Sequence, residues 1–460
     1  MGTRDVIESP ARMNAIVRER THRDAGRGRS RVTPTAHARP AAPPRRGIAA
    51  LCGIALCAAL LGGPQRAAAS PPDLFGFGSR SPAMAGTGVS FADDYESTFV
   101  NPAGLARARQ RGLTFGLQGG AYRYELDGER LPLAPVKANV IGGTIPLPFG
   151  GVMEDRLTLG LGFYTPLDIV LVGDIGYADV PRAIVLDRAQ SLAIQFGLGL
   201  DLHGVVDGLR VGAGVTALGS FAGSILAGID ATGKFGSVVE TQVIATFAPI
   251  VGASYDVGEF SFGAAWHGEI RSEFVFRITT RDLPLTVPVL NIGGIAQYDP
   301  QTFVLEASWR ATPALRVVAG ASYALWSDYP GPLISTSRGS PAPPAMNFAN
   351  TLTPRVAAEY TLRTGRTAIH LRAGYAYVPT PAPPARAEAR YLDNDRHLVT
   401  GGAGLDLTLG DDGARLLVDA YLSTSLLASR THDAPAEGRT TNMESSGFVV
   451  VGGGSVGVAW

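Results

Sequence analysis

From Arg111 to the C-terminus, apolar residues alternate with small or polar ones in runs of about 9 to 14, each closed by a cluster of turn-forming residues. In residues 190–202, Leu192, Ile194, Phe196, Leu198, Leu200 and Leu202 share one face, while Ser191, Ala193, Gln195, Gly197, Gly199 and Asp201 share the other. In 157–163, Leu157, Leu159, Leu161 and Phe163 oppose Thr158, Gly160 and Gly162. In 448–460, Phe448, Val450, Val456, Val458 and Trp460 oppose Gly453, Ser455, Gly457 and Ala459. A two-residue period predicts strands, and the run length suits a tilted strand crossing a bilayer.

A half-buried strand of a soluble sandwich also shows one apolar face, so the second face decides. Here it is Gly, Ala, Ser and scattered charge, and the whole chain holds only two lysines, Lys137 and Lys234. That suits a barrel lumen better than a solvated sheet surface. Up to 16 runs can be marked, and closure requires an even number. Residues 237–256 read as one strand bent at Pro249, and 272–298 is interrupted by Pro284 and Pro288. Tight connections at 150–155, 205–208, 256–259, 363–366 and 410–413 are expected on one side. Long ones at 165–189, 220–236, 327–352, 379–395 and 428–445 are expected on the other. This is the periplasmic and extracellular asymmetry of an outer-membrane barrel. The expectation for 112–460 is therefore an all-β, antiparallel transmembrane β-barrel.

The N-terminal region breaks the pattern. Arg45-Arg46 precede the apolar stretch 47–63, and Ala67-Ala68-Ala69 offers a small-x-small cleavage site, so residues 1–69 read as an n-region extension and secretory signal peptide. Cys52 and Cys57, the only cysteines, leave with it, which excludes disulfides, cysteine-ligated metals and cysteine nucleophiles from the mature chain. The neutral overall charge also divides there: 12 Arg and 4 acidic groups lie in 1–69, leaving 28 basic against 36 acidic, or −8, for the rest. Nucleic acid is not an expected partner.

Residues 70–111 are too glycine-rich for a stable helix and too irregular for a strand. Gly76, Gly78, Gly86 and Gly88 permit positive φ, and Asn101-Pro102 forces an extended residue followed by a turn. A compact irregular segment heading a barrel predicts a plug. Asp93 or Asp94 is placed to cap a short helical turn, with Glu96 near its third position.

Catalytic patterns fail on context. Gly453-Gly454-Ser455-Val456-Gly457 has the G-x-S-x-G form, yet it lies in strand periodicity with no helix to follow. His203, His267, His370 and His397 are dispersed, and no pair has metal-ligand spacing. The reading is not an enzyme, with no cofactor and no metal.

The stretch 81–106, SPAMAGTGVSFADDYESTFVNPAGLA, closely resembles the N-terminal segment of FadL/TodX-type outer-membrane transporters. Similar matches follow in family order at LGLGFYTPLD (159–168), Trp326-Ser327, Thr353-Pro354-Arg355, LRAGYAYVPTPAP (371–383) and LDNDRH (392–397). The resemblance implies 14 strands, against 16 from the count of runs. It also implies a hatch folded inside the barrel and a hydrophobic cargo, a long-chain fatty acid or similar molecule, taken up passively across the bacterial outer membrane. The plug residues Gly86, Gly88, Asp93, Asp94, Asn101, Pro102 and Ala103 would form and anchor the gate. By parity Arg310, Arg355 and Arg372 face the lumen with Glu306, Glu359 and Asp419. The arginines either receive a carboxylate headgroup or pair with those acids. A structural or secretion-associated barrel with the same hatch and no lipid cargo is the other reading. Expected partners are the hydrophobic ligand, outer-membrane lipid and the barrel-assembly machinery, with the barrel a monomer. Trp266, Trp309, Trp326, Tyr360, Tyr375, Tyr377 and Tyr421 suit aromatic belts. Apolar loop residues such as Tyr329, Pro332, Leu333, Ile334 and Met346 suit an external capture groove.

Overall fold

The computed structural model describes residues 68–69, 75–131, 133, 135–167, 182–183, 192–229, 235–281, 290–331, 345–385, 391–410, 413–435 and 442–460. The signal-peptide reading lies outside these residues, apart from Ala68–Ala69, which bridge to Tyr298 and Asp299. Pro284, Pro288, Pro332, Leu333 and Ile334 also lie outside them.

The alternating runs form sixteen long strands. They are β1 (Gly112–Leu126), β2 (Val136–Pro146), β3 (Leu157–Pro166), β4 (Ala193–Asp201), β5 (Leu209–Ile229), β6 (Phe235–Val257), β7 (Phe260–His267) and β8 (Ile270–Arg281). They continue as β9 (Leu290–Asp299), β10 (Thr302–Arg310), β11 (Leu315–Ala324), β12 (Thr351–Thr364), β13 (Thr367–Val378), β14 (Arg396–Leu409), β15 (Ala414–Pro435) and β16 (Asn442–Ala459). Fourteen of them make one closed antiparallel ring. β7 pairs directly with β10, from Phe260↔Trp309 to His267↔Thr302, and β1 closes on β16 from Gly112↔Ala459 onward. Just beyond this seam Arg111 and Trp460 exchange both backbone hydrogen bonds. Closure removes every edge from the wall, which a bilayer demands because its core offers no partner for a lone N–H or C=O.

The two remaining strands explain the count of sixteen. β8 and β9 form a hairpin whose first strand runs parallel to the upper part of β5, Val275↔Ala222 to Arg281↔Gly228, outside the ring. The β6–β7 ladder ends at Ile250 opposite His267, beside Pro249, which brings no N–H. β6 itself is one strand through Pro249, as its pattern predicts. β5 and β6 are 21 and 23 residues long, about twice what a crossing needs, so their upper parts project beyond it.

Burial follows the parity read from sequence. β4 alternates from Ala193, fully buried, through Gln195 and Gly197 inward, while Phe196 is exposed on the outside. Leu117, Phe247, Leu305 and Leu422 are each more than half exposed around the ring, an apolar coat that water would penalise and lipid would not. Trp309, Tyr360 and Tyr375 are on this outer surface, as expected of belts. Trp326 and Tyr421 are corrections: Trp326 is buried in a loop cluster, and Tyr421, with the inward parity of Asp419, donates its hydroxyl to the Phe75 carbonyl. Two of the expected long connections are mostly strand: 220–236 is taken up by β5 to Ile229 and β6 from Phe235, and 428–445 by β15 to Pro435 and β16 from Asn442. Among the described residues no helix is long and apolar enough to cross a membrane.

Candidate functional site

The segment from Phe75 to Arg111 lies inside the ring. It contains two short helices, α1 (Arg80–Ala83) and α2 (Ser97–Val100), and a 3-10 helix at Pro102–Arg107. All four predicted plug glycines take positive φ, Gly76, Gly78, Gly86 and Gly88 at 83°, 95°, 75° and 143°. Two of them show why the chemistry needs glycine. A Cβ on Gly78 would overlap the Glu96 carboxylate, which accepts backbone N–H bonds from Ser79, Arg80 and Ser81 at 2.7, 2.8 and 2.7 Å. Gly88 turns its own N–H onto Glu306 of the wall.

The expected cap is absent: α2 starts after Glu96 with no side-chain capping hydrogen bond, and Asp94 makes a turn ahead of it. Asp94 Oδ1 accepts the Glu96 N–H at 2.8 Å, closing the turn before α2. Glu96 does not complete a capping box, because its carboxylate is already held at the start of α1, seventeen residues earlier. Burial, then the neighbouring Glu96 and Asp93 charges, hold the Asp94 carboxyl well above its usual range. Burial likewise raises Glu96 against the pull of its three N–H donors.

Four sets of contacts lock the plug to the wall. Glu306 on β10 accepts from Gly88 N–H, Ser90 N–H and Ser90 Oγ at 2.9, 2.9 and 2.7 Å, so the expected Glu306–arginine pair gives way to a carboxylate clasp on plug backbone. Asn101, fully buried, donates Nδ2 to the Val89 and Ala253 carbonyls at 2.6 and 3.1 Å and accepts the Ala103 N–H at 3.1 Å. Asn101-Pro102-Ala103 packs against β4, β5 and β6. Arg80 forks onto Glu359 at 3.0 and 2.9 Å and reaches Asp93 at 2.8 Å. Thr400 holds Ala85 N–H and the Ala83 carbonyl at 3.0 and 2.9 Å.

The small lumen face of the strands receives this plug. A Cβ on Gly142 would overlap the Tyr95 ring, one on Gly162 the Phe77 ring, and one on Gly212 the Pro102–Ala103 backbone. The wall is thin where plug backbone lies against it, which the alternating glycines of the sequence encode without naming their partner.

The plug leaves a cavity on each side of it. Toward the long connections, a cavity of about 230 Å³ is lined by Phe77, Phe99, Val100, Ile250 and Val304 together with polar Thr216, Asp299, Thr353, Arg355 and Arg396. Trp326 joins this cavity to a ring cluster above it, where Tyr329 lies 4.4 Å from Tyr298 and 4.7 Å from Phe348 between centroids. Tyr329 and Met346 of the expected capture loop thus pack into this cluster. Toward the short turns, a vestibule of about 950 Å³ is lined by Arg80, Asp93, Arg316, Arg372 and Asp419.

The three lumen arginines separate accordingly. Arg372 is spent on Glu359 at 2.9 Å and on Asp419, and Arg316 adds a third guanidinium 3.5 Å from Glu359. Arg310 is at the turn-side mouth, over half exposed, 3.6 Å from Glu259. Only Arg355 of the three borders the loop-side cavity, donating to the Gly86 carbonyl at 3.1 Å and to Ser322 Oγ at 2.9 Å. Sequence reasoning missed Arg80, because a plug arginine has no strand parity, and Arg396, which it met only as part of LDNDRH. Ser455 lies within β16, level with Asp419 and Gly116 across the ladders, so the G-x-S-x-G run forms no elbow. Among the described residues no group of three potential ligands could hold a metal ion.

No family model matches the chain, and no curated protein matches it. Solved structures do. A Pseudomonas aeruginosa FadL homologue is 16% identical with a TM-score of 0.55, the match covering 83% of this chain and 97% of that one. The P. putida toluene transporter TodX is 14% identical with a TM-score of 0.50, covering 84% and 99%. The likeness is one of fold: the chain shares the barrel architecture of these structures.

Proposed function

We propose that the chain is an outer-membrane transport protein for passive uptake of hydrophobic compounds, with residues 75–107 as its gate. The observation that carries the reading is the plugged lumen: a cavity of mixed apolar and polar lining under an aromatic cluster at the loop rim, and behind the plug a charged vestibule. An apolar solute enters the first chamber because the cavity removes its surface from water, and it advances only if the plug shifts. Barrels of this fold include a toluene transporter, a hydrophobic-solute route. A cavity of about 150 Å³ holds a benzene ring, so 230 Å³ suits a one- or two-ring molecule or about eight carbons of a fatty-acid chain. Long-chain fatty acids then pass in sections, the remainder of the chain lying along the aromatic cluster.

A strain lacking the gene tests this. Uptake of oleate and of a neutral hydrocarbon should fall and be restored by the intact gene, with free passage of small polar solutes when residues 75–107 are removed. Unchanged uptake of both in the deletion strain would leave the structural or secretion-associated reading.

A further inference from the structure

The aromatic cluster at the loop rim and the cavity beneath it share one ring. Of the described rings in the cluster, Tyr298, Trp326, Tyr329 and Phe348, only Trp326 lines the cavity. The residue is 7% exposed, and Tyr298, Phe348 and Tyr329 lie 5.7, 6.3 and 6.5 Å from its ring between centroids. Its backbone is pinned as well. Trp326–Asp328 is a 3-10 turn, and the Tyr329 N–H donates to the Trp326 carbonyl at 3.0 Å. On either side of Trp326, Leu325 N–H donates to the Gln301 carbonyl at 3.0 Å and Ser327 N–H to Asn350 Oδ1 at 2.9 Å. A second segment at the same place is equally fixed. Pro379 and Pro381 line the cavity, and Ala382 packs in the cluster with Trp326. Thr380 donates its N–H to Asp395 at 2.8 Å and its hydroxyl to Asp393 at 2.6 Å. The Pro381 carbonyl accepts Ala349 N–H at 2.8 Å, and the Ala382 carbonyl accepts from Arg430 at 2.8 Å.

A close-packed wall admits what fits and resists the rest, because extra volume forces its neighbours off their preferred rotamers. Proline has no side-chain rotation to offer, and an indole wedged among three rings has little. We infer that Trp326 and the Pro379–Pro381 segment form a fixed slot between the cluster and the cavity, in which Trp326 sorts cargo by width. This rests on the uptake reading and narrows it to slender molecules of any length. An alkyl chain, or a molecule of one or two rings edge-on, passes the slot; a broader plate of fused rings does not. The cavity volume agrees with this limit, since 230 Å³ suits one or two rings. An indole is itself two fused rings, so its removal clears room for about two more.

Binding of hexadecane and of pyrene to the full barrel in detergent, followed by calorimetry, tests the inference. The two have the same number of carbons, one as a flexible chain and the other as a plate of four fused rings. The intact protein should prefer hexadecane by about tenfold or more, the scale on which a pocket rejects a misfit of one small group. Trp326→Ala should bring the two probes within about threefold of each other while hexadecane binding itself changes little, and Trp326→Phe should fall between. Tyr329→Ala removes a ring from the same cluster but none from the cavity lining, so it should keep the preference. Heat-modifiable migration on a gel checks that each variant is a folded barrel. Pyrene bound by the intact protein as well as hexadecane, a preference that survives Trp326→Ala, or one lost equally in Tyr329→Ala overturns the slot and leaves uptake standing. Binding of neither probe overturns both.

Discussion

The Glu306 carboxylate, on the wall, accepts both the backbone N–H and the hydroxyl of Ser90, on the plug, through the same oxygen, at 2.9 and 2.7 Å. Its other oxygen takes Gly88 N–H. One side chain of the barrel thus fixes three donors of a loop that has no regular structure of its own. Glu306→Gln replaces an acceptor by a donor facing those N–H groups and should weaken plug docking by about 2–4 kcal/mol. Limited proteolysis should cut the plug faster in this variant while the barrel stays resistant.

The glycines that cradle the plug give a sharper contrast. A Cβ on Gly252 would overlap the Asn101 side chain, whereas one on Gly219 meets nothing within 4 Å. Gly252→Ala should loosen the plug by about 1–3 kcal/mol, and Gly219→Ala should leave it unchanged. Hydrogen exchange of residues 88–103 distinguishes the two.

The charged cluster at the turn side should respond asymmetrically. Glu359 serves Arg80, Arg316 and Arg372, so Glu359→Gln leaves three guanidiniums crowded together, whereas Arg80→Ala leaves Glu359 with two partners. The glutamine variant should lose about 3–5 kcal/mol of stability in urea unfolding and the alanine variant less.

Acid should tighten the plug before it loosens it. The Asp94 and Glu96 carboxyls are raised, by burial first and for Asp94 also by the charges of Glu96 and Asp93. A raised acid costs the docked state its ionisation energy above the raised value, and the cost fades as pH falls toward the ordinary carboxyl value near 4. Protection of residues 79–100 from exchange, corrected for intrinsic rate, should be greater at pH 5 than at pH 8.

Much of this was legible in the chain and some could not be. Two-residue parity placed Phe196 outside and Gln195, Arg372 and Glu359 inside, because a strand has only two faces. The same rule points Tyr421 inward beside Asp419, where the lumen and not the belt claims it. The hairpin β8–β9 carries a strand's sequence pattern, and only the end of the β6–β7 ladder at Pro249 takes it out of the wall. The small lumen face reads equally as space for cargo or for plug. Gly142 and Tyr95 meet across 47 positions of chain, a pairing no local pattern holds. Arg396, at the first position of its strand beside an irregular loop, has no run of alternation before it.

The central claim is that hydrophobic solutes pass only when the plug moves. Apart from Cys52 and Cys57 the chain has no cysteine, so an added pair reports cleanly. The Ala83 Cβ lies 2.6 Å from where a Cβ on Gly402 would stand, and about 1 Å of give brings Ala83→Cys with Gly402→Cys to disulfide spacing. In cells lacking the native gene and carrying this variant, entry of the neutral dye N-phenyl-1-naphthylamine should stop on oxidation and return on reduction. Undiminished entry through the oxidised, cross-linked barrel would contradict the account.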